Sequence, residues 1–111
     1  MSADKITQLR KQVGGARDGA LLRFSLGQLL LAQRETAAAI NELRAALKFD
    51  PNYSAAWKLM GQACLSFGDP VSASDAYRQG ITVAAARGDK QAEKEMRVFL
   101  RRIETAQSRS K

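Results

Sequence analysis

Histidine is absent from this 111-residue chain, and cysteine occurs once, as Cys64. The first absence removes the commonest general base and the commonest metal ligand. The second excludes an internal disulfide and suits a reducing compartment. Without a histidine to activate it, Cys64 reads as a small hydrophobe rather than a nucleophile. No apolar run is long enough to span a bilayer, and Leu29-Leu30-Leu31 is a short segment of an amphipathic helix. The first residues, Met1 to Ile6, carry no apolar signal region, so a cytoplasmic protein without membrane attachment is expected. The scattered glycines form no phosphate-binding loop. Glu35, Glu42, Asp50, Asp69 and Asp75 are expected in turns or on solvated faces, with no two spaced for general acid–base work. These absences describe a non-enzyme with no catalytic residue, cofactor or metal site.

What is present is helix-forming sequence with a period. The composition is 45% hydrophobic, enough for the core of one small all-α domain. Its organising stretch runs from Asp50 to Gly61 and reads as the end of one helical hairpin, a turn, and the start of another. Pro51 stops a helix because it lacks an amide hydrogen and its ring clashes with the preceding turn. Asn52 is expected to cap the next helix, which also accounts for the glycosylation-like triplet Asn52-Tyr53-Ser54. A shift of 34 positions superposes the two halves: Leu26 on Met60, Gly27 on Gly61, Leu30 on Cys64, Ala39 on Ala73, Leu43 on Tyr77.

The expected helices cover residues 4–13, 19–33, 36–49, 53–67, 70–86 and 90–107. Gly14-Gly15 ends the first, which reads as a cap helix or a frayed arm within residues 1–18. Gly68-Asp69-Pro70 is a stop and restart, with glycine as C-cap, aspartate as N-cap and proline at the first helical position. Arg87-Gly88-Asp89 repeats that punctuation. The last helix carries Ala92, Met96, Phe99, Ile103 and Ala106 on one side. A shift of 34 puts Gln91, Lys94, Glu95 and Val98 on its repeat positions, which do not fit a third copy. It is expected to cover the end of the second hairpin, with residues 108–111 as a loose tail.

The period and its residues resemble the tetratricopeptide (TPR) repeat, W-x2-L-G-x2-Y followed by A-x3-F and P. The second copy carries Trp57, Met60, Gly61, Cys64, Ala73 and Tyr77; the first carries Leu26, Gly27, Leu30, Ala39, Leu43 and Pro51. Arg23 stands at the tryptophan position of the first copy, and Ala85 at the proline position of the second. The resemblance implies two repeats, about 20–53 and 54–87, in a short α-solenoid of antiparallel hairpins. It further implies a protein-interaction module whose first helices line a concave groove for a peptide or partner helix. Groove positions carried over from the family are Leu21, Phe24, Gln28 and Leu31 in the first repeat, and Ala55, Lys58, Gln62 and Leu65 in the second. Phe24 and Gln28 replace the lysine and asparagine with which some relatives clamp a terminal carboxylate, so such a clamp is not expected.

Charge offers a second reading. The net +7 lies in the flanks: residues 1–18 hold four cations against two anions, residues 19–86 six against five, and residues 87–111 eight against four. Arg97, Arg101, Arg102, Arg109 and Lys111 make nucleic acid or another acidic partner the alternative ligand. Glu93, Glu95 and Glu104 interrupt that run, and no aromatic side chain alternates with the arginines as a stacking platform. Weak homodimerisation through Phe99, Leu100 and Ile103 is a third reading, since fewer than three repeats is marginal for a solenoid.

Overall fold

A computed structural model describes residues 2–109, leaving Met1 of the expected arm and Ser110 and Lys111 of the expected tail outside the described residues. Six helices follow one another: α1 (Ser2–Arg10), α2 (Ala20–Ala32), α3 (Thr36–Phe49), α4 (Ser54–Ser66), α5 (Pro70–Arg87) and α6 (Lys90–Arg109). No strand occurs among the described residues. Helix α2 pairs with α3, α4 with α5, and α6 lies chiefly on α5. The result is an all-α short solenoid measuring 45 × 30 × 20 Å.

Small residues at fixed positions set the hairpin geometry. A Cβ on Gly27 would lie 2.8 Å from Leu43 Cδ2, and one on Gly61 would lie 2.5 Å from Tyr77 Cζ. Both glycines therefore let a large side chain of the returning helix press onto the helix backbone. Gly80 of α5 makes room on two sides, for Trp57 of α4, whose Cβ would lie 2.8 Å from an added Cβ, and for the Met96 thioether of α6. Leu26, Leu30, Leu43 and Met96 are fully buried between the helices, each burial worth about 2 kcal/mol. Ile6 and Leu9 bring α1 onto the first hairpin by packing with Leu26, Leu30 and Ala39.

Arg23 explains how the first hairpin manages without a tryptophan. Its guanidinium donates to both oxygens of Asp18, at 2.9 and 3.0 Å, and to Glu42 Oε1 at 3.0 Å. Asp18 also accepts from the amides of Gly14 and Gly19. The hydrogen bonds from Arg23, then that from Gly14, hold the Asp18 carboxyl well below the usual carboxylate range. One side chain thus ties the loop before α2 to α2 and to α3. The expectation that Glu42 is merely solvated is corrected by this network.

The turn between hairpins also differs from expectation. Helix α4 begins at Ser54, with Tyr53 flanking it and no side-chain cap. Asn52 therefore stands too early to serve as cap. Its amide instead donates to Asp50 Oδ1 at 2.9 Å, and its carbonyl accepts from Arg87 at 2.6 Å. The Trp57 indole closes the turn by donating to the Pro51 carbonyl at 2.8 Å. Asp69 caps α5 through the Ser72 amide, as its position before Pro70 suggests. Gly68 and Gly88 are both left-handed, at φ 86° and 73°.

Helix α6 extends to Arg109, so Ser108 and Arg109 are helical rather than loose. A shift of 36 rather than 34 brings it into register with α4: Ala56 on Ala92, Met60 on Met96, Ala63 on Phe99, Cys64 on Leu100. The structure supplies the reason. Helix α5 has 18 residues against 14 in α3, while the connection after it shrinks from residues 50–53 to residues 88–89. The net displacement is two residues, and α6 takes the place of a third first-helix.

Candidate functional site

Helices α2, α4 and α6 stand side by side, each contacting its neighbour. They form one face of the solenoid, with α3 and α5 behind them. The residues carried over from the family divide into two groups on that face. Leu21, Ala55, Gln28 and Gln62 are exposed, Leu21 strongly so at 70%. Leu65 is 41% exposed. These side chains have area to offer a ligand. Phe24 and Leu31 are half-buried and pack against the core, while Lys58 is half-buried and engaged.

Phe24 and Lys58 occupy the same position in successive hairpins and bridge to the next hairpin in different ways. The Phe24 ring meets Tyr53 at the start of α4, with centroids 4.9 Å apart and planes tilted by 34°. Lys58 Nζ lies 2.9 Å from Glu95 Oε1 on α6. The hydrogen bond from Lys58 is the main cause holding the Glu95 carboxyl below its ordinary value. Both residues therefore fix the spacing of consecutive first-helices. Sequence reasoning could not pair Lys58 with Glu95, because a shift of 34 misplaces α6 by half a turn.

At the far end of this face, Leu65 and Pro70 look across at Phe99, Arg102, Ile103 and Ala106 of α6 over a cleft of about 440 Å³. Phe99 rests on Tyr77, with ring centroids 5.6 Å apart, and Arg102 lies 5.9 Å over the Phe99 ring. Phe99 and Leu100 are half-buried against the second hairpin and Ile103 is buried in it. The three residues expected to join two copies are thus already packed within one. A second hollow of about 400 Å³ lies on the outer side, lined by Arg44 and Leu47 of α3, Trp57 of α4 and Ala76 of α5.

Chemistry on a covalent or metal pattern finds little to use. Cys64 is buried, and that burial pushes its thiol pKa up, away from the reactive thiolate. Among the described residues no three metal-binding side chains come together. None of these helices is long and apolar enough to cross a membrane.

The model of the tetratricopeptide repeat matches residues 30–89, more than half of the chain. The chain belongs to the tetratricopeptide repeat family. A TPR repeat-containing protein of Pseudomonas aeruginosa is 45% identical over 103 residues, which are 93% of this chain and 98% of the relative. A solution structure of a protein from Bordetella parapertussis is 40% identical and superposes with a TM-score of 0.79, over 91% of this chain and 88% of that one. A crystal structure of MamA superposes at 0.70 over 98% of this chain and 70% of its own, at 22% identity. That last likeness concerns the fold alone. TPR proteins mediate protein–protein interaction and are in general not catalysts.

Proposed function

We propose that this TPR protein is a non-catalytic adaptor that holds a peptide or partner helix along the face of α2, α4 and α6. The observation carrying this reading is the run of exposed apolar and amide side chains on consecutive first-helices: Leu21 and Gln28, then Gln62 and Leu65. Apolar side chains supply affinity for a ligand side chain. The two glutamines supply donors and acceptors for a ligand backbone. Phe24, Leu31 and Lys58 contribute from beneath by keeping the three helices at fixed separation. The buried, unreactive Cys64 and the missing histidine support a role in binding rather than catalysis.

The test is binding of peptides selected from a display library against the full chain, repeated with the double variant Leu21→Glu, Gln62→Glu. Both positions are exposed, so circular dichroism should show unchanged helix content. Binding is expected to fall at least tenfold; a folded double variant that binds as well as the wild type would remove the face from consideration. Phe24→Glu with Lys58→Glu is a poorer choice. Those substitutions also break the Tyr53 stack and the Glu95 ion pair.

A further inference from the structure

Helix α6 has 20 residues and α4 has 13, roughly 30 Å against 20 Å of helix. Its last seven residues, Ile103 to Arg109, consequently run beyond the point where α4 ends and the chain turns at Gly68 into α5. The overhang creates the cleft of about 440 Å³ floored by Leu65, Phe99, Ile103 and Ala106. Its size falls near the lower end of small-ligand pockets, which span roughly 300–1,000 Å³. There is room for one or two side chains.

Charge identifies their flanks. From residue 97 onward the described part of α6 carries Arg97, Arg101, Arg102 and Arg109 against the single anion Glu104. Glu104 is held by Arg78 at 3.5 Å, and Arg97 by Glu93 at 2.9 Å. Arg102 stands on the cleft itself, with its guanidinium over the face of Phe99.

We infer that this cleft is an anchoring subsite of the binding face, taking a bulky apolar side chain from an acidic partner segment whose carboxylate pairs with Arg102. The inference rests on the adaptor reading and adds the partner's chemistry to it. A second copy of the chain is disfavoured, because it would bring two sets of these arginines together on molecules already carrying a net +7. A further repeat helix is disfavoured too. At a shift of 36, Arg97 occupies the position of Gly61, where a returning helix needs a small residue. A nucleic-acid backbone would satisfy the arginines and leave the apolar floor uncovered. An acidic segment with an apolar residue satisfies both.

The experiment pans the full chain against displayed peptides bearing one Leu, Ile or Phe within acidic, neutral or basic flanks. Fluorescence anisotropy of the enriched peptides then compares wild type with Arg102→Glu, Arg102→Ala and Leu65→Asp. Enrichment of acidic flanks is expected, with binding reduced at least tenfold by Arg102→Glu and several-fold by the milder Arg102→Ala, at unchanged thermal midpoints. Leu65→Asp should weaken the same peptides. Enrichment without charge preference, or acidic peptides indifferent to Arg102→Glu, overturns the subsite. Peptides that lose binding to the Leu21→Glu, Gln62→Glu variant yet ignore Arg102 would leave the adaptor reading standing and remove this inference alone. No enriched peptide at all would overturn both. Displacement of the peptides by a short single-stranded RNA with equal affinity would reassign the arginines to nucleic acid, and a dimer by sedimentation that blocks peptide binding would assign the cleft to a second copy.

Discussion

The two hairpins of this protein share a plan and solve its details differently. In the second, the turn is Gly68-Asp69-Pro70: a glycine at φ 86°, an aspartate whose carboxylate accepts from the Ser72 amide, and a proline at the first helical position. In the first, the same three positions are Arg34-Glu35-Thr36. Arg34 is held at φ 63°, and Glu35 makes no side-chain cap. Behind the turns, Trp57 closes the second hairpin onto Pro51, whereas Arg23 closes the first through Asp18 and Glu42. What stays constant is the small-against-large contact at Gly27 and Gly61. Packing between helices defines the repeat, while turn chemistry and the outer anchor are free to vary.

Breaking the shared contact should have the largest effect. Gly61→Val drives side-chain atoms into the buried, rigid Tyr77 ring and is expected to cost about 3 kcal/mol, the upper part of the usual overpacking range. Gly27→Val meets Leu43, whose branched chain has more rotamers available, and should cost less. Urea denaturation of the two variants gives the ordering; equal losses would mean that the ring is no stiffer a neighbour than the leucine.

Grafting one turn onto the other sharpens the comparison at lower energy. Arg34→Gly relieves a left-handed backbone and Glu35→Asp supplies the missing cap, worth roughly 1 kcal/mol each. With Thr36→Pro added, the triple variant should be stabilised by about 2 kcal/mol and melt several degrees higher. No gain would show that the first turn is already as well satisfied as the second.

The smallest effect is present at neutral pH and is lost only in acid. The Asp18 carboxyl titrates below its unfolded value because Arg23 and the Gly14 amide hydrogen-bond to its charged form. Its contribution is therefore fully present above the ordinary carboxylate pKa of about 4 and is lost as pH falls toward the lower folded value. Wild type should exceed Asp18→Asn in stability by a constant margin above pH ~5, and the margin should shrink progressively below pH ~4. A margin unchanged into strong acid would contradict the network.

Much of this architecture was legible because helix punctuation is local chemistry. Gly68, Asp69 and Pro70 each act within a turn of their own position, so their roles follow from order alone. The shift of 34 exposed the packing positions for the same reason: both hairpins have equal spacing between their helices. The register of α6 was hidden by a compensated change, a longer α5 followed by a shorter connection, which a fixed shift cannot follow. A search over neighbouring shifts recovers it, since Met96 and Leu100 then fall on Met60 and Cys64. Asn52 misled because α4 starts at Ser54, one residue later than a cap at position 52 requires, which leaves Tyr53 in the capping position. The Arg23 network joins residues 18, 23 and 42, and no sequence period links them. On the proposed binding face, the family positions fall on α2 and α4 without separating exposed side chains such as Leu21 and Gln62 from those that space the helices. Phe24 and Lys58 are adjacent to exposed positions, yet their partners belong to the next hairpin or cap, Tyr53 just before α4 and Glu95 on α6.

The measurement that tests the account most directly is the map of backbone amide shifts when a selected peptide is added to the isotope-labelled full chain. The account predicts that the perturbed amides cluster at Leu21, Gln28, Gln62 and Leu65 and continue onto α6 near Arg102. Perturbation confined to α3 and α5, around Arg44, Leu47 and Ala76 on the outer side, would contradict it and move the binding surface to the opposite face.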